Sequence, residues 1–312
     1  MLFPCTPLLI FSYTALLVVA PAASSAASFW PAQLQTLSTQ ELPTLSASSL
    51  QTFVDCPRQF ALRYLGGYQL DPQPQQTFRA RELGTMAHAI IAAWAQSPVA
   101  ITLDALIEQQ LAKTSFATPY ERWKAQEDLY YHVAPVLKEL HKLEAQAPRT
   151  TWKFEYNLAY RFDPVAGAEE KTDVQGRIDL IIPHPTGLML FDFKRNQCPS
   201  AEDIRQFKKI QLWFYATHGI RPEQLGAWGL LKLANLKEST IMTFSAAAQT
   251  CLQELNFMQA KICYEPALLK EDLPRYQQQE AQWIAQMKKG DFARNPQGPG
   301  CDWCPWYYVC GE

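Results

Sequence analysis

The spacing of apolar residues changes once, sharply, along this chain. From Ser46 to Ala147 apolar positions recur at helical intervals, as in helices packed by one face. Leu50, Phe53 and Val54 share such a face, and Ser48 followed by Gln51 reads as the capping box that starts it. Pro57 begins a second, short helix, and the pattern predicts further helices over 79–96, 103–113 and 120–146. At Thr151 the rhythm falls to alternation. Residues 152–160 read as a strand, and 176–182 and 188–194 as two more. Pro183, Pro185 and Gly187 mark the turn of an antiparallel hairpin between those two. A helix over 201–218 follows, then strands over 228–233 and 239–244, then helices from Ala246 and over 274–289. This order predicts an α/β domain: a mixed central β-sheet flanked by helices, with a largely helical N-terminal part.

Residues 1–45 stand apart from that domain. Leu8 to Ala20 is nearly all apolar, and Pro21 to Ser28 is small and Ala/Ser-rich, like a secretory signal peptide. No Lys or Arg precedes Arg58, so the positive start of such a peptide is missing. The run is also short for a bilayer-crossing helix, and no stable membrane insertion is expected. The favoured reading is a buried strand over 14–19 left from a longer parent or adjoining domain, followed by a polar linker. The folded domain is expected to span 46–312, in a cytoplasmic protein.

The 312 residues suffice for one large core. A net charge of −2 excludes a protein that coats DNA by bulk charge, so any nucleic-acid contact must come from local patches. No Gly-Lys-Ser/Thr occurs, which excludes a Walker-type ATP motor.

The candidate chemistry sits in the hairpin. Asp192 and Lys194 are two apart on one strand and point the same way, and pairing of the strands brings Asp179 to that face. Carboxylates hold a hard divalent cation through oxygen. Such a cation polarises phosphate and activates water, while a lysine steadies developing charge. Alone, these residues also fit a solvated ion pair, and His88 a core histidine. Four of the eight cysteines form a set: Cys56, then Cys301-x-x-Cys304 and Cys310. That spacing signals a metal site, either zinc or an iron–sulfur cluster, that would tie the start of the domain to its end.

With these motifs in order, the chain resembles the RecB-like branch of the PD-(D/E)XK nucleases, in particular the AddB-type iron–sulfur nuclease domains. The resemblance rests on Cys56-Pro57, Gly84-Thr85-x-x-His88, Gly176-Arg177-Ile178-Asp179, Asp192-Phe193-Lys194, Gln211-x-x-x-Tyr215 and the terminal cysteines. It implies a restriction-endonuclease-like core and metal-dependent DNA hydrolysis in repair or recombination, with a helicase as a candidate partner. His88, Asp179 and Asp192 would ligate Mg²⁺ or Mn²⁺, with Glu155 an additional candidate and the Phe193 carbonyl helping. Lys194 would position the attacking water, and Gln211 and Tyr215 would contact DNA or orient the lysine. Cys56, Cys301, Cys304 and Cys310 would bind a structural [4Fe–4S] cluster. Arg195, Arg205, Lys208 and Lys209 could form a phosphate-binding patch or a solvated helix face, and Trp213 could line a channel for single strands or belong to the core. The rival readings are a non-catalytic binding module on the same fold, or an exported protein stabilised by zinc or disulfides.

Overall fold

The structure, a computed structural model, describes residues 42–67, 77–97, 101–162, 172–195, 199–293, 295 and 304. The apolar N-terminal segment, Cys301 and Cys310 lie outside the described residues, and so do the expectations placed on them. Among the described residues six strands form one sheet in chain order. They are β1 (Lys153–Phe162), β2 (Thr172–His184), β3 (Gly187–Lys194), β4 (Leu225–Lys232), β5 (Thr240–Thr243) and β6 (Lys261–Tyr264). β3 pairs with β4, and β5 with β6, in parallel; the other neighbours are antiparallel. This is the mixed sheet of a restriction-endonuclease-like fold.

Strand alternation divides the core in two. Met189, Phe191 and Phe193 of β3 pack on one face with Leu231 of β4, under α3 (Thr77–Gln96), α4 (Leu103–Leu111), α5 (Pro119–Glu144) and α8 (Ala246–Glu254). Leu190, Trp228 and Leu230 pack on the other face. There they meet α1 (Ala47–Asp55), α2 (Pro57–Phe60), α6 (Ala201–Arg205), α7 (Gln211–His218) and α9 (Leu273–Lys288). Asp192 and Lys194 continue the second face beyond Leu190, so they emerge where the apolar layer ends.

Three expectations need correction. The capping box of α1 is made by Ser46 and Ser49, not Ser48 and Gln51. Leu45 is bridged to Val174 of β2, so the chain leaves the sheet at Ser46 and turns into the helix there. Gln51 clamps a distant loop: its Nε2 donates to the Lys208 carbonyl at 2.9 Å, and its Oε1 accepts from Ile210 N at 3.1 Å. The helix expected over 201–218 is two helices. Between them Phe207 takes φ 55, and its ring packs edge-on against Trp213 and Tyr276. β6 was not anticipated; it is four residues long, at the sheet edge and only half-buried, so it carries no alternating apolar pattern. Trp213 is core: it is fully buried, stacks on Tyr276 and donates its indole N–H to the Ile204 carbonyl.

Gly187 explains the tightness of the hairpin. Its φ of 115 suits glycine, and an added Cβ would lie 2.8 Å from the Gly226 nitrogen.

Candidate metal centre

The hairpin register places a row of acids across three strands. Leu180 pairs with Phe191, so Asp179, one step further along, falls opposite Asp192. On the other side Phe154 pairs with Leu180 and Tyr156 with Ile178, so Glu155 falls opposite Asp179. Directly opposed residues in antiparallel strands share a face. Glu155 sits at φ 47, a left-handed conformation unfavourable for a side chain of its kind. Strain of this sort is retained where surrounding structure enforces it, commonly at functional sites.

His88 reaches the same point from α3, across the end of the sheet. Its Nδ1 is 3.6 Å from Asp179 Oδ2 and 3.7 Å from Glu155 Oε1. Its Nε2–H donates to the Phe193 carbonyl at 3.1 Å. Ligand atoms of His88, Glu155 and Asp179 all lie within 4.8 Å of one another. An imidazole with carboxylate and carbonyl oxygens is a donor set suited to Mg²⁺ or Mn²⁺. The candidate Glu155 is thus drawn into the centre, and its Oε2 is also 2.5 Å from Arg177 Nε, a partner that sequence reasoning did not identify.

Asp192 is 2% exposed and held from two sides. Lys194 Nζ lies 2.5 Å from its Oδ2, and Gln211 Nε2 donates to its Oδ1. Gln211 Nε2 is also 2.8 Å from the Tyr215 hydroxyl, which in turn donates to the Arg177 carbonyl at 2.7 Å. The one-turn spacing of Gln211 and Tyr215 on α7 thus serves one chain of bonds. Gln211 fixes Asp192 and Tyr215 fixes β2. Tyr215 is 2% exposed and anchors the strand, not a surface ligand. Gly176 allows this approach: a Cβ there would lie 3.3 Å from the Phe214 ring and 3.4 Å from that of Tyr215.

These contacts push the ionisable groups apart. Burial, and then the charge of Asp179, raises Asp192 to about 6, against the pull of Lys194 and His88. Asp179 is buried too, but hydrogen bonding and charge from His88, together with the Phe193 N–H, hold it below its ordinary value. Burial alone would lower His88; its bonds to Asp179 and Glu155 outweigh that and raise it to about 10. Burial and the Asp192 charge raise Tyr215, which keeps it a hydrogen-bond donor. A cation entering this centre must displace the His88 proton, and below about 6 also one from Asp192. Metal affinity is therefore expected to rise with pH. Calorimetric Mn²⁺ titration in buffers of different ionisation enthalpy should show net proton release; no release would contradict ligation by His88.

In this arrangement Gln211 bonds to Asp192 and Tyr215 and so fixes the Asp192 carboxylate. Gln211→Ala should weaken Mn²⁺ binding about 10–100-fold, the range for lost partners of a metal-binding side chain. A Mn²⁺ titration beside a thermal melt checks this, with folding expected to be intact.

The remaining candidate residues separate. Arg205 is paired with Glu265 and Glu202, and Lys208 Nζ lies 3.8 Å from Asp203. Arg195 and Lys209 instead line a cavity that also includes Lys194. Cys56, half-buried, ends α1 and begins α2. Of its proposed fellow ligands only Cys304 is among the described residues.

The family model of the PD-(D/E)XK nuclease superfamily matches residues 44–311. Among solved structures, the crystal structure of SSO0001 aligns at 13% identity and a TM-score of 0.35, over 89% of this chain and 93% of that one. The crystal structure of protein VC1899 from Vibrio cholerae aligns at 11% identity and a TM-score of 0.23, over 77% of this chain and 58% of that one. No curated protein matches the sequence.

Proposed function

The chain belongs to the PD-(D/E)XK nuclease superfamily, and from that premise we propose that it is a Mg²⁺- or Mn²⁺-dependent nuclease that hydrolyses phosphodiester bonds in DNA, acting on single strands or ends. The observation that carries this reading is the row Glu155, Asp179 and Asp192, opened toward His88 and Lys194 at one end of the sheet. Each of these neighbouring carboxylates is answered by one cationic side chain, Glu155 by Arg177, Asp179 by His88 and Asp192 by Lys194, and a divalent cation can take over part of that compensation. His88, Asp179 and Asp192, with Glu155 beside them, would hold the ion, which when bound supplies a polarised phosphate and an activated water. The Lys194 side chain is 38% exposed while its Nζ stays beside Asp192. It can orient the attacking water and stabilise charge growing on the phosphate oxygens. Gln211 and Tyr215 keep Asp192 and β2 in place during this step.

A [4Fe–4S] cluster on Cys56, Cys301, Cys304 and Cys310 completes the proposal. It is supported by the return of the chain toward Cys56. Phe292 packs its ring against Phe53 and Phe60, and Asn295 donates to the Asp55 carbonyl at 3.3 Å. A staple between such distant points would stabilise the fold by about 5.5 kcal/mol on chain-entropy grounds. A cytoplasmic role in repair or recombination, beside a helicase, follows from the resemblance. Among the described residues no helix is long and apolar enough to cross a membrane.

The test is protein purified without oxygen and incubated with labelled single- and double-stranded DNA, with Mg²⁺, Mn²⁺ or a chelator. Cleavage that needs the cation, from brown protein carrying about four irons per chain, is the expected result. DNA binding without cleavage would replace the nuclease by a binding module. Colourless, iron-free protein would remove the cluster and leave zinc or disulfides for the cysteines.

A further inference from the structure

A second cavity adjoins the metal centre. The first, of about 590 Å³, contains His88, Arg177, Asp179 and Asp192. The second, of about 800 Å³, lies beyond Lys194 and contains Arg195, Lys209 and Trp228. Both are lined by Ala47, Ser48, Lys194 and Gln211, so they meet at the lysine. The volume of the second lies within the range of pockets that enclose small organic ligands, about 300–1,000 Å³.

Its walls are tied in place. Gln51 of α1 holds the backbone on both sides of Lys209 through the Lys208 carbonyl and Ile210 N. The Arg195 carbonyl accepts from Ala234 N at 3.2 Å. The acids of the cavity are already engaged, Glu238 with Lys232 and Asp203 with Ser200 and Lys208. Among the described residues neither Arg195 nor Lys209 sits in a close ion pair, although the charge of Lys209 is felt by Asp203 at longer range. The lining holds four cations, Lys194, Arg195, Lys209 and Lys232, against two acids, Asp203 and Glu238, so the cavity is net basic and suited to an anionic, acceptor-rich ligand.

We propose that this cavity is a nucleotide subsite. It receives the part of the strand on one side of the scissile phosphate, with a neighbouring phosphate between Arg195 and Lys209. The inference rests on the nuclease reading for the identity of the strand. The strand then runs from Arg177, past the metal centre and Lys194, into the cavity, and Arg205 and Lys208 take no part.

Binding of a fluorescent twelve-residue oligothymidylate in a chelator tests the subsite without requiring catalysis. The variant Arg195→Ala/Lys209→Ala should bind at least tenfold more weakly. Its slope of log affinity against log salt should be shallower by about 0.7, the value for one lost phosphate contact on a single strand. Lys209→Ala alone, at an exposed position, should account for about half of that shift. The control Lys124→Ala/Lys138→Ala removes the same charge from α5, on the other face of the sheet, and should leave affinity and slope unchanged. An unchanged slope in the cavity variants, an equal loss in the control, or no binding by the wild-type chain would overturn the subsite. Cation-dependent cleavage by the wild-type chain, measured alongside, would keep the nuclease reading standing in each of those cases.

Discussion

Asp192→Asn is expected to lower the rate of DNA cleavage by at least about 10³-fold while leaving the protein no less stable. The first half follows from position. Asp192 is the acid shared by the proposed cation, Lys194 and Gln211. Loss of an ion's charge stabilisation is worth several kcal/mol, and about 4 kcal/mol corresponds to 10³-fold in rate. The second half follows from its environment. Burial and Asp179 raise the carboxyl from 3.8 to about 6 in the folded state. A raised carboxyl binds more protons folded than unfolded, so the charge lowers stability progressively as pH climbs from about 3.8 toward 6, and the full cost persists at neutral pH. Asparagine keeps the shape and can still accept from Gln211, but has no charge to bury. A melting temperature equal to or above that of the wild-type chain, with cleavage lost, is the expected pair of results. A large drop in stability would mean that the Lys194–Asp192 pair is structural instead.

The largest stability effect is expected away from the centre, at Glu280. Its Oε1 is 3.0 Å from His218 Nε2 and accepts from the Tyr276 hydroxyl at 3.0 Å. The His218 and Glu280 side chains are each 1% exposed. Removing this shared acceptor takes a hydrogen bond from two buried groups, His218 and Tyr276, at about 1–3 kcal/mol each. Glu280→Ala should lose about that much in urea unfolding, whereas Glu280→Gln, which retains an acceptor, should lose less. The pair fastens α9 to the end of α7, and α7 carries Gln211 and Tyr215. Residual activity in Glu280→Ala is therefore expected to fall through misplacement of Asp192.

The hairpin was legible because its signal is local. Asp179, Asp192 and Lys194 lie on strands joined by a short turn, where alternation and pairing fix the face. His88 was not legible from periodicity, since an apolar helix hides a candidate ligand among core residues. Only its place in an ordered set of motifs brought it forward. Glu155 depended on a β1–β2 register across a long connection and on a left-handed backbone, neither of which has a residue signature. Arg177 stood in a motif, yet its ion pair with Glu155 and its carbonyl's bond to Tyr215 come from packing alone. The break between α6 and α7 was hidden for a similar reason. No Gly or Pro marks it, and the aromatic packing of Phe207 and the Gln51 clamp impose it from outside. The same break places Gln211 at the start of α7, beside Asp192.

The most direct measurement is cleavage of an end-labelled single strand by wild-type and Lys194→Ala protein, with Mn²⁺ and with a chelator. The account requires cleavage by the wild-type chain only with the cation, and its loss in Lys194→Ala with folding intact. Equal cleavage by the two proteins, or cleavage in the chelator, would contradict the placement of the reaction at Asp179, Asp192 and Lys194.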